Sequence, residues 1–208
     1  MSLGLLGNKI GMTQIFNIKG EVVPITIIKC GPCFITQMLF KEKCGYNAIQ
    51  LGYIEVTNSK KITNPEKGHF LKNNLSFYYY LKEYKTNINS NFKLGQKITL
   101  DIFKVGEKIN IKGLSIGKGY TGNIKKNNFS RGPMSHGSKH HRLQGSLGAG
   151  TDPGRVFPGK KMSGRLGQQN CTIIGLEILD MDPQKDLIFI KGSIPGKKGN
   201  LINLIHQN

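Results

Sequence analysis

The sequence is poor in acidic residues, in arginine and in cysteine, and it contains no tryptophan. It has 12 Asp and Glu against 30 Lys and Arg, which gives a formal net charge of +18 and a pI near 9.8. Because so little negative charge offsets the lysines, the composition predicts a polyanionic partner, either nucleic acid or an anionic membrane. Four Cys in 208 residues are too few for a secreted domain built on disulfides.

The chain also lacks the features that would direct it to a membrane. No apolar run is long enough to cross a bilayer as a helix, and no basic amphipathic helix is evident. The first sixteen residues, MSLGLLGNKIGMTQIF, fit neither a signal peptide nor an Arg- and Ser-rich transit peptide. We therefore expect no membrane partner and a protein that works in the compartment where it is made.

The positive charge is concentrated in residues 112–170. This segment contains eleven Lys or Arg, a single acid (Asp152) and 13 Gly, and all four Arg of the chain lie within it. Its few large apolar residues follow neither a strand period nor a helix period, so alone it cannot bury enough apolar surface to become ordered. Arg can hold a phosphate with two hydrogen bonds. The composition predicts a segment that takes one shape only on RNA.

The rest of the chain consists of short runs rich in β-branched residues, separated by Gly and Pro. Such runs favour antiparallel strands in a barrel or sandwich. The predicted strands are residues 22–28, 34–39, 48–56, 98–103, 109–116, 172–180, 187–191 and 201–206. Pro24 indicates a strand start or an edge. Glycines divide the first sixteen residues into two apolar pieces, 3–6 and 10–16.

Two short helices are predicted between the strands. Asn64 as N-cap and Pro65 at the first helical position favour a helix that ends near Asn73. Thr121 is the expected cap of a second helix that ends near Asn128. Residues 76–84, with three consecutive Tyr, fit a helix or a strand equally well, and residues 129–171 are predicted to be irregular.

Cys30-Gly-Pro-Cys33 has the spacing of a thioredoxin redox motif. That motif requires a helix that starts at its first Cys, because the helix N-terminus lowers the thiol pKa. Residues 34–38 favour a strand instead, so we interpret the motif as a turn between strands with buried thiols. Cys44 and Cys171 supply no second pair for a zinc site. A thiol-disulfide oxidoreductase remains the alternative function from another class.

Two glycine-rich patterns partly match nucleotide-binding motifs. Residues 154–161, GRVFPGKK, match a P-loop except at the last position, where Lys161 replaces the Ser or Thr that ligates magnesium. Residues 117–122, GKGYTG, match a dinucleotide fingerprint but lack the expected later acid. Both patterns are better explained by backbone N–H groups and lysines that approach an RNA backbone.

Three histidines, His136, His140 and His141, lie among Arg131, Lys139 and Arg142 with no carboxylate nearby. Because neighbouring cations repel a metal ion, stacking on bases or bonding to phosphate is the favoured interpretation. We see no carboxylate pair and no Ser/His/Asp set, and we expect neither a metal nor a cofactor nor catalysis.

Several motifs in their order along the chain closely resemble the family of ribosomal large-subunit protein three, in its bacterial and plastid form. They are MSLGLLGNKIGMTQIF, Gly31-Pro32-Cys33 with Thr36-Gln37, YNAIQ at 46–50, RGPMSHGS at 131–138, GSLG at 145–148, PGRVF at 153–157, GKKM at 159–162 and Ile194-Pro195-Gly196. The resemblance extends nearly from end to end.

The resemblance implies a mainly β fold: a translation-protein-type antiparallel β-barrel with a small α-containing insertion and a long irregular basic loop. It divides the chain into a globular domain of residues 1–130 and 166–208, with an insertion at about 58–95, and an RNA-penetrating loop of residues 131–165. The barrel would bind the 3′ domain of the large rRNA, and the protein would act early in assembly.

Residues and partners follow from the same resemblance together with the charge pattern. The expected RNA-binding residues are Lys118, Lys125, Lys126, Arg131, His136, Lys139, His140, His141, Arg142, Arg155, Lys160, Lys161 and Arg165. The loop tip expected near the peptidyl transferase centre is Gln144, Gly145, Ser146, Leu147, Gly148, Ala149, Gly150, Thr151, Asp152 and Pro153. The expected partners are large-subunit rRNA and neighbouring ribosomal proteins, without homo-oligomers. A free nucleic-acid chaperone is a further alternative.

Ala149 marks one departure from many bacterial members of that family, which carry a Gln there that can be methylated. This modification is therefore not expected. Ala149-Gly150-Thr151 resembles the cyanobacterial and plastid branch, so a ribosome of the plastid stroma is the expected location, with a bacterial cytoplasm as the alternative.

Overall fold

The computed structural model describes residues 3–85 and 92–206. The only part of the predicted insertion outside the described residues is 86–91. The elements are β1 (Gly4–Phe16), β2 (Val22–Cys30), β3 (Cys33–Leu39), α1 (Lys41–Cys44), β4 (Ala48–Glu55), a 3₁₀ turn (Ser59–Lys61), α2 (Asn64–Leu71), β5 (Tyr78–Lys85), β6 (Lys97–Ile98), a second 3₁₀ turn (Leu100–Ile102), β7 (Lys108–Leu114), β8 (Tyr120–Thr121), α3 (Asn123–Asn127), β9 (Gly164–Arg165), β10 (Asn170–Asp182), β11 (Leu187–Lys191) and β12 (Leu201–His206).

Six strands are hydrogen-bonded in a closed cycle, in the order β1-β12-β7-β10-β11-β2, with β2 paired back to β1. Every pair is antiparallel. Alternate residues are fully buried in β7, at Ile109 and Ile111, and in β11, at Ile188 and Ile190, because successive side chains of a strand point to opposite faces. The predicted mainly β, antiparallel class is confirmed.

A second antiparallel sheet has the order β5-β4-β3-β6. Its buried side chains, among them Ile35, Ile49 and Tyr84, belong to the same apolar cluster as Leu5 and Leu204 of the six-stranded ring. The two sheets therefore share one core. Residues 76–84, which fitted helix or strand, lie largely in β5.

Strand β1 is continuous across the glycines that divide its sequence. A Cβ on Gly4 would lie 2.2 Å from the carbonyl oxygen of Leu204, and a Cβ on Gly7 would lie 2.7 Å from Cys30 Sγ. These glycines permit close packing of the strand against its neighbours, so they do not interrupt it. A register shift between Lys9 and Gly11 marks a bulge.

Both predicted helices exist, but each begins at a different residue from the one predicted. Thr63 is the N-cap of α2, and its backbone N–H donates to Glu66 Oε2 at 3.0 Å in a capping box. Gly122 is the N-cap of α3, since Thr121 belongs to β8. Asn64 and Thr121 were therefore wrong as caps.

The predicted strand 98–103 was also wrong. Strand β6 ends at Ile98, and the backbone N–H of Phe103 donates to the carbonyl of Leu100 at 2.9 Å, which closes a 3₁₀ turn. Leu100 and Phe103, three residues apart, are both buried. Burial of side chains three residues apart fits the three-residue repeat of a 3₁₀ turn rather than the two-residue alternation of a strand. Residues 129–171 are irregular except for β9 and the start of β10.

The chain forms two compact units, one of Ser115–Gln169 and one of the residues before and after it. The unit Ser115–Gln169 is inserted where Leu114 of β7 pairs with Asn170 of β10. The chain therefore leaves and re-enters the ring at neighbouring positions. The inserted unit contains the predicted loop 131–165 and extends beyond it at both ends. In the part of the chain described, no helix is long and apolar enough to cross a membrane.

Candidate nucleic-acid interface

The inserted unit, Ser115–Gln169, contains ten Lys or Arg and one acid, Asp152. The three ion pairs found among the described residues all lie outside it. Because no carboxylate of the described chain neutralises these cations, they create a strong local positive potential. The unit can therefore attract a polyanion without first breaking internal ion pairs.

Two antiparallel segments, residues 115–121 and 163–169, form a stem. Ser115 N–H donates to the carbonyl of Gln169 at 2.9 Å, Lys118 N–H to Leu166 at 2.8 Å, and Leu166 N–H to Gly119 at 2.9 Å. Gly167 has φ +77°, and a Cβ there would lie 2.0 Å from the carbonyl oxygen of Ile116. The stem thus gives the basic segment an ordered base.

Two asparagines attach α3 to the returning chain. Asn123, which is buried, donates from Nδ2 to the carbonyl of Lys161 at 3.3 Å, and Asn127 Nδ2 donates to Asn123 Oδ1 at 2.9 Å and to the Met162 carbonyl at 3.2 Å. Neither asparagine was among the predicted site residues. Lys126 is held near the same segment, since its Nζ lies 2.7 Å from where a Gly164 Cβ would be.

Three predicted RNA-binding cations surround one cleft of about 310 Å³. Lys118 and Lys125 come from the stem and α3, whereas Arg142 comes from the loop. Tyr120 also lines the cleft, and its hydroxyl lies 2.7 Å from Ser163 Oγ. Two ammonium groups and a guanidinium around a small concavity are suited to a phosphate group, with the Tyr ring available to a sugar or base.

The loop closes on itself at Gly132, whose N–H donates to the carbonyl of His141 at 3.1 Å. His141 Nδ1 lies 2.9 Å from the Pro133 carbonyl oxygen, and because a carbonyl only accepts, Nδ1 carries the proton. His141 therefore also holds the turn. His136 and His140 remain exposed.

The other predicted contact residues lie at the surface of the unit. Of all thirteen predicted RNA-binding residues, eleven are exposed, and only Lys126 and His141 are partly buried. In the predicted tip 144–153, every residue is exposed except Gln144 and Pro153. The Arg155 guanidinium lies over the Phe157 ring at 5.6 Å. Phe157 was not among the predicted contacts; it is exposed beside an arginine, an arrangement that is suited to stacking.

The structure does not support the alternative nucleotide and metal sites. In the segment 154–161 the P-loop pattern is followed by the two-residue β9, with no helix in the described chain between it and β10. The GxGxxG pattern lies in the stem. Among the described residues, no group of three His, Cys, Asp or Glu is placed to hold a metal.

Cys30 and Cys33 lie at the end of β2 and the start of β3, and both are buried. This confirms the interpretation of the motif as a turn between strands. Burial raises the pKa of the Cys30 thiol well above its ordinary value and that of Cys33 to about 12. Redox nucleophiles require the opposite shift.

We expect the native protein to react with iodoacetamide at two thiols, Cys44 and Cys171, which are exposed, and at all four in denaturant. Because the folded-state pKa of Cys33 is raised from 9.0 to about 12, its contribution to stability is complete below pH 9 and is lost as the pH rises towards 12. Mass spectrometry of labelled peptides checks the first expectation, and a denaturation series against pH checks the second. Fast native labelling of Cys30 or Cys33, or reduction of insulin, would contradict this assignment.

Comparison with known proteins gives consistent matches along the chain. The family model of "Ribosomal protein L3" matches residues 82–187. The chain is 52% identical over 205 residues to large ribosomal subunit protein uL3c of Phaeodactylum tricornutum (strain CCAP 1055/1), covering 99% of both chains. It is 50% identical over 208 residues to protein uL3 of Prochlorococcus marinus (strain MIT 9215), covering 100% of this chain and 95% of that one. It is 51% identical over 204 residues to protein uL3c of Gracilaria tenuistipitata var. liui, covering 98% and 99%.

Proposed function

Because the chain belongs to the family of ribosomal protein L3, we propose that it is a structural constituent of the large ribosomal subunit and binds large-subunit rRNA directly. The observation that carries the RNA-binding proposal is the inserted unit, which presents ten unneutralised cations on an ordered stem. It is a scaffold rather than a catalyst.

The two units contact different parts of the rRNA. The six-stranded ring is a translation-protein-type β-barrel and a globular platform that docks on the 3′ domain of the rRNA. The loop of residues 131–165 enters the RNA interior, where its cations neutralise phosphates and its glycines let the backbone follow the RNA surface. Recognition depends on RNA shape and on unpaired bases rather than on the sequence of a duplex.

The tip, residues 144–153, reaches toward the peptidyl transferase centre. Its side chains are small or exposed, and it carries the one acid of the unit, Asp152. The tip has no Lys or Arg, so the flanking Arg142 and Arg155 supply the charge that holds its base to the RNA. In this arrangement the protein acts early in assembly, before that RNA closes around the loop.

The named relatives support a ribosomal location in a plastid or in a bacterial cytoplasm. The partners are large-subunit rRNA and neighbouring ribosomal proteins. Sedimentation in moderate salt tests the proposal, because a subunit constituent travels with large subunits. A free nucleic-acid chaperone would remain at the top of the gradient, and so would a redox enzyme.

A single methyl group at Gly132 should weaken RNA binding. An added Cβ would lie 1.8 Å from the backbone oxygen of His140, so the turn must open. We expect Gly132→Ala to reduce the affinity for an rRNA fragment while the melting temperature of the ring stays unchanged. Gly150→Ala is the matched control, because nothing lies within 4 Å of its added Cβ. Equal affinities of the two variants in a filter-binding assay would show that the turn does not position RNA contacts.

A further inference from the structure

The hairpin of β1 and β2 extends beyond the ring. Strand β12 pairs with β1 only from Gly4 to Asn8, and β11 pairs with β2 only from Ile25 to Lys29. Among the described residues, β1 from Gly11 to Phe16 therefore has β2 as its only partner strand. A two-stranded ribbon is marginally stable in water by itself.

The projecting ribbon presents apolar side chains to solvent. The register places Phe16 opposite Val22 and two residues from Gln14, which is opposite Pro24, so these side chains share one face with Met12. Phe16 is 68% exposed, Val22 54% and Met12 50%, and Ile18 in the turn is fully exposed. Gln14 is the one polar side chain among the exposed residues of this face, and an exposed apolar surface of this kind marks an interaction site.

The charge of this ribbon differs from that of the chain as a whole. Residues 10–28 contain one Lys and one Glu, so their net charge is zero in a chain of +18. A surface that contacts RNA phosphates needs cations, which this ribbon does not offer. An apolar ribbon without net charge is suited instead to a protein surface, where burial of apolar area drives association.

We propose that this hairpin face, formed by Met12, Phe16, Val22 and Pro24, docks into an apolar cleft of another protein of the large subunit. The proposal rests on the proposed function, since that function supplies the particle in which the partner lies. Docking covers the apolar face and gives the ribbon the packing that two strands alone lack. The protein thus has separate surfaces for two kinds of partner, a basic unit for RNA and an uncharged ribbon for protein.

Photocrosslinking in intact large subunits tests the proposal. p-Benzoylphenylalanine at the position of Met12 should give an adduct that survives ribonuclease, is lost on protease treatment and contains a second, different protein. Phe16→Gln with Val22→Thr in the same chain should abolish that adduct. Because both side chains are exposed, this double variant should keep its melting temperature and its affinity for rRNA. The crosslinker at Ile174 of β10, which is 69% exposed, controls for reactivity of an exposed apolar position.

An adduct that ribonuclease releases would overturn the proposal in favour of RNA, and an adduct of two copies of this chain would replace it with self-association. It is equally overturned if Met12 gives no adduct, or if the adduct persists in the double variant. A different result, absence of the unmodified chain from large subunits, would refute the proposed function and the docking proposal together. Sedimentation before irradiation distinguishes these cases.

Discussion

A chain in which Ser115–Gln169 is replaced by a short Gly-Ser turn should fold and melt cooperatively, but it should not support normal subunit assembly and peptide-bond formation. The apolar cluster of the described residues contains no side chain from this unit, and Leu114 and Asn170 are already paired neighbours. Closing a loop of a few residues instead of 55 lowers the entropic cost by about 2 kcal/mol. We therefore expect an unchanged or slightly raised melting temperature, measured by circular dichroism.

The same variant should assemble large subunits slowly, and these should form peptide bonds poorly, because the interior RNA loses the cations that hold its strands together. A full-length variant with the ten Lys and Arg of the unit changed to Gln separates the effect of charge from that of length. Loss of the cooperative melt in the deletion variant would mean that the unit contributes to the core. Normal assembly and peptide-bond formation would mean that the most basic part of the chain is dispensable.

Binding of the free protein to its rRNA fragment should depend steeply on salt. With about ten phosphate contacts, the log–log slope of affinity against salt should be about −7 to −9, which is a loss of about 10⁴- to 10⁵-fold in affinity between roughly 50 and 200 mM. Filter binding over a salt series measures this slope directly. A slope near zero would show that the cations of the inserted unit do not contact phosphates.

The cleft that Lys118, Lys125 and Arg142 share allows a test of arginine itself. Arg142→Lys keeps the charge and should keep the slope, yet it should weaken binding at every salt concentration, because the planar fork is lost. Lys125→Arg, in the same cleft, is the control and should bind at least as well as the unchanged chain. Equal affinities of the two variants would refute a special role for arginine.

The sequence predicts the strands of the core well because their runs of β-branched residues are short and are separated by Gly and Pro turns. It fails where a residue's role depends on distant neighbours. Gly4 and Gly7 look like breaks in β1, but they are sites of close packing against Leu204 and Cys30. The start of α2 could have been predicted correctly, because Thr63 and Glu66 have the spacing of a capping box.

In the inserted unit, too, some features could be predicted from the sequence and others could not. The sequence alone shows which residues of the unit are cations or glycines, because charge and residue type belong to single residues. Their arrangement depends on contacts between residues far apart in sequence, such as Asn123 with Lys161 and Gly132 with His141. Neither a strand period nor a helix period in the sequence predicts these contacts. For this reason the stem, the cleft around Arg142 and the structural role of His141 could be found only from the structure.

The closed cycle of strands has a consequence for biosynthesis. Gly4 of β1 pairs with Ile205 of β12, and β12 also pairs with β7, so the cycle joins the first described strand to the last described one. Until β12 is translated, β1 and β7 each expose an unpaired edge, and such edges favour association with other chains. The nascent chain therefore cannot complete its core one segment at a time. It must hold β1 in an open, aggregation-prone state until β12 has been synthesised, although the basic insertion precedes β12 in the chain.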